Sequence, residues 1–471
     1  MKNTLILSLG TFLPRVAVFI TLPIYTANLS KADYGTYDVV VFIAYLMTVV
    51  ITMQVHQAAF RFLVGEKDSE KKIEVISNTT LFVLPTAITA ALAIFLLLWS
   101  ENSISVRIAI SCYIFMEIIL SVVGQIIRGL GGNKVYSIGA IIQSFLNMVF
   151  VVVLMEFLDK GFLGLLTSLN IAILCAVIYM TSKIGLTKYI RIQSFNKSMI
   201  AQMISYSWPL IPNSISMWLL NVINRIIIII VLGIEMSAVF AVATKIPLLF
   251  TTAYGAFNMA WQESASIASE DKDSGEYYGN IFDGLFGFLV GAMAVLIATT
   301  PFVFELLIRG DYQEAYYQMP LLFIGMFFSS LASFYGGIYI ALKKTKSVGI
   351  STIVAVGIAL LINTTLINKL GLYAASISTM VSFLALTVYR GYDTKKFRKI
   401  NYKKKKIVLG ISLLVVMCVF CYQKDLVYNI MNMVLAVAVA VTYNLSIIKT
   451  VLSKVMSKRF AKGNKEVLQQ K

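Results

Sequence analysis

The feature that most constrains this chain is a series of long apolar runs without a single charged residue. The segments 81–99 and 284–303 are two of them. Each is close to the roughly 20 helical residues that cross a bilayer core. With 58% hydrophobic and 13% charged residues and a mean hydropathy of +0.81, the chain has too little polar surface for a water-soluble fold of this length. The sequence therefore predicts an all-α polytopic membrane protein.

Division at charged and turn-forming clusters predicts about 14 transmembrane helices, with spans one, two and seven at 4–28, 37–61 and 204–232. The first twelve spans form two sets of six with weak internal similarity, and a repeat of six helices preserves orientation because six is even. The predicted domains are an N-terminal six-helix bundle at 1–182, a cytoplasmic connector at 183–203, a C-terminal six-helix bundle at 204–390, two additional transmembrane helices at 391–448 and a basic cytoplasmic tail at 449–471.

The distribution of Lys and Arg predicts the orientation of the chain. With a cytoplasmic N-terminus, the cytoplasmic segments and adjoining helix ends hold thirty-one of the 40 basic residues, the outer side holds six, and three lie within spans. This asymmetry follows the positive-inside rule and places both termini in the cytoplasm. Anionic membrane lipids account for the net charge of +17 and the basic run at 403–406, so no nucleic-acid partner is expected.

The three basic residues within the spans, Arg15, Arg225 and Lys245, are the candidate substrate-binding residues. A charge near the centre of a membrane helix costs about 2.5–3.5 kcal/mol on the insertion scale, so it normally faces a bundle interior or a watery cavity. A guanidinium suits phosphate because its planar donors can bind two oxygens at once. The three residues could therefore line a cavity for an anionic substrate. The alternatives are structural ion pairs or a side chain that extends to the interface.

Asp38, His56 and Glu117 are the candidate ion-coupling residues, because a carboxylate or imidazole within the membrane can exchange protons during a transport cycle. The alternatives are an interfacial Asp38, a His56 bonded within helix packing, and a Glu117 that neutralises Arg15. With a single histidine and no Gly-x4-Gly-Lys phosphate loop, the sequence predicts no metal site and no cofactor.

Prolines mark spans one and seven as places where the helices can bend. Span one contains Pro14 and Pro23, and span seven begins with Pro209 and Pro212. Each proline removes a backbone hydrogen bond from the helix. Bending of these two spans would open one face of a cavity while the other closes, and the alternative is a static kink filled by neighbouring side chains.

Several short motifs follow one another in the order and spacing of a known family. They are Thr-Phe-Leu-Pro-Arg at 11–15, Ala-Asp-Tyr-Gly-Thr-Tyr at 32–37, Trp-Pro-Leu-Ile-Pro at 208–212, the pair Asn224-Arg225, Ala-Thr-Lys at 243–245, the segment 305–315 and Gly-Leu-Tyr-Ala-Ala at 371–375. Together they resemble the polysaccharide-transport branch of the multidrug/oligosaccharidyl-lipid/polysaccharide exporter superfamily, the bacterial oligosaccharide flippases. The family's usual Asp-Arg pair is Asn224-Arg225 here, which leaves the local pairing open.

The resemblance implies a V-shaped pair of bundles that works by alternating access in the bacterial cytoplasmic membrane. The implied cargo is an undecaprenyl-diphosphate-linked oligosaccharide, which moves from the cytoplasmic to the outer leaflet for O-antigen, capsule or exopolysaccharide synthesis. The family's cationic cavity would map onto Arg15, Arg225 and Lys245, with Asn224 beside it. A polysaccharide polymerase and glycosyltransferases would be the functional partners.

Three other functions stay open at this point. An ion-coupled multidrug exporter belongs to the same superfamily, although an organic cation suits three basic residues poorly. A peptidoglycan-precursor lipid flippase shares the span count. A membrane-embedded glycan enzyme would need a catalytic site, and no soluble domain is present to hold one. The identities of the glycan and of the driving ion leave no motif in the sequence.

Overall fold

The computed structural model describes residues 17–100, 103–269, 274–398, 400–445 and 449, and every regular element within them is helical. The main helices are α1 Ala17–Asn28, α2 Lys31–Ile51, α3 Val55–Leu63, α4 Ser69–Leu97, α5 Ile104–Gly129, α6 Asn133–Val151, α7 Gly161–Ile184, α8 Lys197–Ser207, α9 Leu210–Leu232, α10 Ile234–Ala268, α11 Ser274–Leu307, α12 Gln313–Ala341, α13 Thr345–Leu370, α14 Leu372–Asp393, α15 Lys404–Tyr422 and α16 Leu426–Leu445.

Each predicted span falls on helical residues where the structure describes it. Twelve helical segments of the described residues are long and apolar enough to cross a membrane. Two further apolar helical segments fall at spans one and seven: Ala17–Asn28, and Val222–Leu232, which is the second half of α9. The first sixteen residues, with Pro14 and Arg15, lie outside the described residues, so span one is described only in its second half. The predicted all-α, multi-pass membrane fold is confirmed.

Short polar side chains fix several helix starts. The Ser30 side chain accepts a hydrogen bond from the Asp33 N–H at 3.0 Å, and the Asp68 side chain accepts one from the Glu70 N–H at 3.0 Å. Such N-caps satisfy backbone donors that have no partner inside the helix. These polar residues precede α2 and α4, and they therefore set where each apolar span begins.

The chain forms two compact units, and the predicted division into two six-helix bundles stays a prediction. The first unit comprises 1–242 with 307–312, and the second comprises 243–306 with 313–471. In the first unit α5 is central and packs against α2, α3, α4 and α7, with Ile114, Ile118 and Ile126 buried in the core. The helices α8 and α9 belong to this unit, and α9 packs against α2.

Span two is not one continuous helix. Residues 52–54 separate α2 from α3, and Met53 and Gln54 adopt left-handed backbone conformations with φ of 47° and 59°. Such conformations cost about 1 kcal/mol or more each for non-glycine residues. Local hydrogen bonds compensate: the Gln54 N–H donates to the Thr52 hydroxyl at 3.1 Å, and the Ser207 hydroxyl donates to the Met53 carbonyl at 2.8 Å. The expected single helix over 37–61 is therefore corrected to two helices joined by a bonded break.

Span seven is also interrupted close to its predicted start. The helix α8 ends at Ser207, and Trp208 and Pro209 form a turn before α9 begins at Leu210. Proline at this position fits because the first helical N–H groups have no intrahelical acceptor. The helix is thus interrupted at one of the predicted prolines, whereas bending and motion at this point stay predictions.

In the second unit, α12 packs closely against α14, and α14 against α13. Trp261 of α10 stacks on Phe334 of α12 with ring centroids 4.4 Å apart, and its indole N–H donates to the Phe334 carbonyl at 2.9 Å. The loop after α15 is attached to α12 by Lys424, whose ammonium lies 4.4 Å from the Tyr316 ring centroid and donates to Gln313 at 2.8 Å. These contacts join the C-terminal hairpin to the second bundle.

Arg390, near the end of α14, is a buried cation at 6% exposure. Its guanidinium donates to the Ala332 carbonyl at 2.8 Å, the Ser351 hydroxyl at 3.0 Å and the Thr352 hydroxyl at 3.0 Å. These bonds join α12, α13 and α14 through one side chain. Hydrogen bonds to a charged group contribute about 1.5–3 kcal/mol each.

We expect Arg390→Gln to lower the free energy of unfolding by about 2–4 kcal/mol, because a glutamine cannot reach all three acceptors. The measurement is thermal unfolding of the purified full-length chain in detergent, followed by tryptophan fluorescence. Lys395→Gln, a change at a nearby exposed cation, is the control and should leave the transition in place. An unchanged melting temperature for Arg390→Gln would show that this network contributes nothing to stability.

Candidate functional site

An ion pair lies inside the first unit between two residues that the sequence analysis had considered separately. Arg225 of α9 donates from Nη1 to Oδ2 of Asp38 in α2 at 2.6 Å. The side chains are 16% and 5% exposed, respectively. Each residue is seven positions from the predicted outer end of its helix, or ~10 Å at 1.5 Å per residue. The two charges therefore meet at the same depth, which is what pairing across antiparallel helices requires.

A second polar contact between the same two helices lies deeper in the unit. The Trp218 indole N–H of α9 donates to the Phe42 carbonyl of α2 at 2.7 Å, and the two rings lie 6.3 Å apart. Phe42 follows Asp38 by one helical turn, and Trp218 precedes Arg225 by about two turns. The contact holds α2 against α9 and so fixes the register that brings the carboxylate to the guanidinium.

Tyrosines surround the Asp38 side of the pair. The Tyr37 ring lies 5.9 Å from both the Tyr25 and the Tyr34 rings, and Tyr34 lies 6.1 Å from Tyr312. The Tyr25 hydroxyl accepts a hydrogen bond from the Asn147 amide at 3.3 Å. Aromatic rings with polar hydroxyls are suited to a surface that is partly apolar and partly wet. The cluster therefore extends the polar region from the ion pair into the interior of the unit.

Glu117 lies at the middle of α5 and lines a cavity of about 220 Å³ within the first unit. The Tyr113 hydroxyl, one turn earlier, is a hydrogen-bond partner of its carboxylate. Tyr37, the chain neighbour of Asp38, is also close enough to Glu117 to interact with it electrostatically. The cavity is lined by Glu117, Leu120, Ser121, Gly124, Gln125, Tyr136, Ala140, Gln143 and Met180.

The polar partners of Glu117 were not among the predicted site residues. Tyr113, Glu117, Ser121 and Gln125 follow one another at intervals of four residues, and Arg128 comes three residues later. Residues three and four apart lie on one face of a helix, so this spacing gives α5 a continuous polar stripe. The signal was present in the sequence, since polar groups in an apolar span are few and their spacing can be counted. Such a stripe within a membrane is typical of a face that lines water or a polar ligand.

The other predicted site residues are Arg15, Asn224, Lys245 and His56. Arg15 lies outside the described residues. Asn224, beside Arg225 on α9, is half-buried, and Lys245 is half-buried on α10 in the second unit. His56 is 3% exposed at the start of α3, with its Nδ1 atom 2.9 Å from the Thr52 hydroxyl at the helix break. The structure thus pairs Asp38 with Arg225, gives Glu117 a separate cavity and places His56 in a bonded packing position.

The fold is shared with solved membrane transporters. An inward-facing multidrug resistance MATE family transporter of the MOP superfamily superposes with a TM-score of 0.67 at 15% identity, covering 81% of this chain and 95% of the other. The lipid II flippase MurJ superposes with a TM-score of 0.63 at 14% identity, covering 95% of this chain and 100% of the other. A MOP superfamily transporter from Pyrococcus furiosus gives 0.57 at 15% identity, with 84% and 96% covered. The chain therefore shares the fold of these solved MATE and MurJ structures.

The family model described as "Polysaccharide biosynthesis protein" matches residues 1–265. This range covers more than half of the chain and includes α1 to α9 with the Asp38–Arg225 pair and the Glu117 cavity. No curated protein sequence matches the chain. The chain belongs to the polysaccharide biosynthesis protein family, which confirms the family assignment that the sequence motifs suggested.

Proposed function

We propose that this protein is a flippase that carries undecaprenyl-diphosphate-linked oligosaccharide units from the cytoplasmic to the outer leaflet of a bacterial cytoplasmic membrane. The observation that carries the proposal is Arg225, a guanidinium held inside a membrane span of a polysaccharide biosynthesis family member. A diphosphate offers the paired oxygens that a guanidinium binds best. The fold shared with a lipid II flippase supports a lipid-linked cargo as the class of substrate.

The Asp38–Arg225 ion pair determines how the cargo would reach Arg225 in this proposal. Arg225 is neutralised by Asp38 in the present arrangement, so its charge is not an open anion site. In our proposal the cargo diphosphate replaces Asp38 as the partner of Arg225. Because an unpaired buried carboxylate is strongly unfavourable, Asp38 then takes up a proton. Cargo release would return Asp38 to Arg225 with loss of that proton, and binding would thereby be coupled to proton exchange.

The Glu117 cavity has a second role in this proposal. Its hydroxyl, amide and carboxylate groups can hydrogen-bond to sugar hydroxyls or to water as the oligosaccharide crosses. Lys245 and Arg15 stay proposed substrate contacts, and Asn224 a proposed neighbour of the site. The same proposal places both termini in the cytoplasm and has the two six-helix bundles work by alternating access. It also includes the absence of enzyme activity and a partnership with a polymerase and glycosyltransferases.

The experiment that tests this function is transport by the full-length chain reconstituted into vesicles. We expect translocation of a lipid-diphosphate-oligosaccharide, and we expect Arg15→Ala with Arg225→Ala to abolish it because both guanidiniums are then absent. The same vesicles loaded with an organic cation test the multidrug alternative, and lipid II tests the peptidoglycan-precursor alternative. Unchanged oligosaccharide translocation by the double variant would show that the binding site is assigned to the wrong residues.

A further inference from the structure

A second cavity of the first unit opens at the other end of the α5 stripe. It has a volume of about 420 Å³ and lies at the ends of α3 and α5 and the start of α6, on the face predicted to be cytoplasmic. It is separate from the Glu117 cavity and from the Asp38–Arg225 pair. Its lining combines apolar, basic and glycine residues: Phe60, Leu63, Val64, Gly65, Glu66, Lys72, Arg128, Gly129, Leu130, Gly131 and Asn133.

Arg128 is held in this cavity with most of its donors unused. Its guanidinium lies 5.2 Å from the Phe60 ring centroid and 5.5 Å from that of Tyr136, so two aromatic rings position it. Its one hydrogen bond among the described residues is a long one of 3.4 Å to the Gln125 side chain. The Nε atom is buried and has no partner in the described part of the chain. An arginine has five N–H donors, so this side chain has unused capacity for an acceptor.

The surroundings of Arg128 favour an anion as that acceptor. Lys72 adds a second positive charge to the lining. The one carboxylate of the lining, Glu66, accepts hydrogen bonds from the backbone N–H groups of Asp68 and Lys67 at 2.9 and 2.8 Å. These donors, together with the charges of Lys71 and Lys72, hold the pKa of Glu66 below its usual value, and they bond Oε1 to its own loop. Among the described residues, no carboxylate forms an ion pair with Arg128.

The backbone at the cavity leaves room for close approach. Gly131 has a φ of 83°, and a Cβ built there would meet no atom within 4 Å. The side of the cavity formed by Phe60, Leu63, Val64 and Leu130 is apolar, and Val64 is 46% exposed. A ligand that matches the whole cavity therefore combines a phosphate with an attached hydrocarbon.

From this geometry we propose that the Arg128 cavity binds the phosphate group of a membrane lipid. An anionic phospholipid and the diphosphate of a polyprenyl-linked cargo share this chemistry. In the second case the cavity would be the place where cargo first docks, and that part alone depends on the proposed function. In both cases the guanidinium edge and the Lys72 ammonium hold the phosphate oxygens while the acyl or prenyl chain lies against the apolar side.

Binding to the purified full-length chain in a neutral detergent tests the proposal without any transport step. The probes are dioctanoyl phosphatidylglycerol, farnesyl diphosphate, inorganic phosphate and dioctanoylglycerol, and the readout is the dissociation constant by titration calorimetry. We expect both phosphate-bearing lipids to bind and dioctanoylglycerol not to bind. Arg128→Gln should weaken lipid-phosphate binding by about tenfold to 100-fold, as expected for loss of charge-assisted bonds. Arg61→Gln, at an exposed arginine of α3, is the matched control and should bind normally.

The outcomes separate the sources of the phosphate. Tighter binding of phosphatidylglycerol assigns the cavity to a phospholipid, and tighter binding of farnesyl diphosphate assigns it to the cargo. Equal binding of inorganic phosphate, equal binding of dioctanoylglycerol, or unchanged binding by Arg128→Gln overturns the proposal. If Arg128→Gln does not fold, Arg128→Lys and Lys72→Gln provide the same comparison. A chain that binds these lipids but moves no oligosaccharide would contradict the flippase function and leave this site intact.

Discussion

Replacing Arg225 with alanine should reduce the translocation of a lipid-diphosphate-oligosaccharide by at least about 100-fold, equivalent to roughly 2.7 kcal/mol. The variant removes the proposed diphosphate contact, and it also leaves the buried Asp38 carboxylate without its partner. Breaking one side of a buried ion pair costs about 3–5 kcal/mol. A loss of translocation by Arg225→Ala alone therefore does not distinguish a transport defect from an unstable protein.

The double variant Asp38→Asn with Arg225→Gln separates these effects. Removing both charges leaves no unpaired ion, so we expect stability to return while translocation stays lost. Lys31 and Asp311 form a comparison pair at 2.7 Å near the same end of the unit, in which Lys31 is 22% exposed and the carboxylate of Asp311 is 88% exposed. Neutralising that pair should change stability by less than about 1 kcal/mol and leave transport unchanged. Normal transport by the Asp38→Asn, Arg225→Gln protein would show that the pair is purely structural.

Glu117→Gln should lower the translocation rate by about 100-fold or more, the lower end of the effect of removing one proton-transfer group, and should flatten the dependence of this rate on pH. Glutamine has nearly the same shape and can still bond to the Tyr113 hydroxyl, so we expect the protein to fold normally. What the variant loses is a group that can exchange a proton inside the cavity. The measurement is the initial rate of translocation in vesicles across a series of pH values.

The control for Glu117 is Glu156, which is exposed next to α6 and bonds to the Asn28 amide at 3.0 Å. Glu156→Gln should retain both the rate and the pH profile of the unchanged protein. Glu117→Asp keeps an ionisable group in the cavity and should keep part of the pH dependence. If the Glu117→Gln protein keeps the original pH profile, Glu117 takes no part in coupling transport to proton exchange.

The fold could be predicted in detail because each membrane span must satisfy its own backbone hydrogen bonds. Apolar length alone located helix ends within a few residues, as for span seven, whose predicted end at residue 232 is also the observed end of α9. The break in span two could not be predicted in this way. Thr52, Met53 and Gln54 include neither glycine nor proline, and the Ser207 hydroxyl that bonds to the Met53 carbonyl is 154 positions away in the sequence.

The candidate site was predictable only in its parts. Asp38 and Arg225 both stood out as charges in apolar spans, yet their pairing depends on a contact between residues 187 positions apart. Local spacing carries no information about such a contact. The α5 stripe is the opposite case, since the four-residue intervals from Tyr113 to Gln125 are local and could have been counted.

The break between α2 and α3 also affects how the first unit can deform. A continuous helix transmits rotation along its axis through its ladder of backbone hydrogen bonds, and this ladder is interrupted at residues 52–54. The Met53 carbonyl is bonded to α8 through Ser207, whereas α2 carries Asp38. The backbone bonds that remain at the break include the shorter-range bonds from Met53 to Val50 and from Val55 to Thr52, so the two halves are joined less regularly than in a continuous helix. We therefore expect α2, with its carboxylate, to change orientation more readily than α3, which packs against α8.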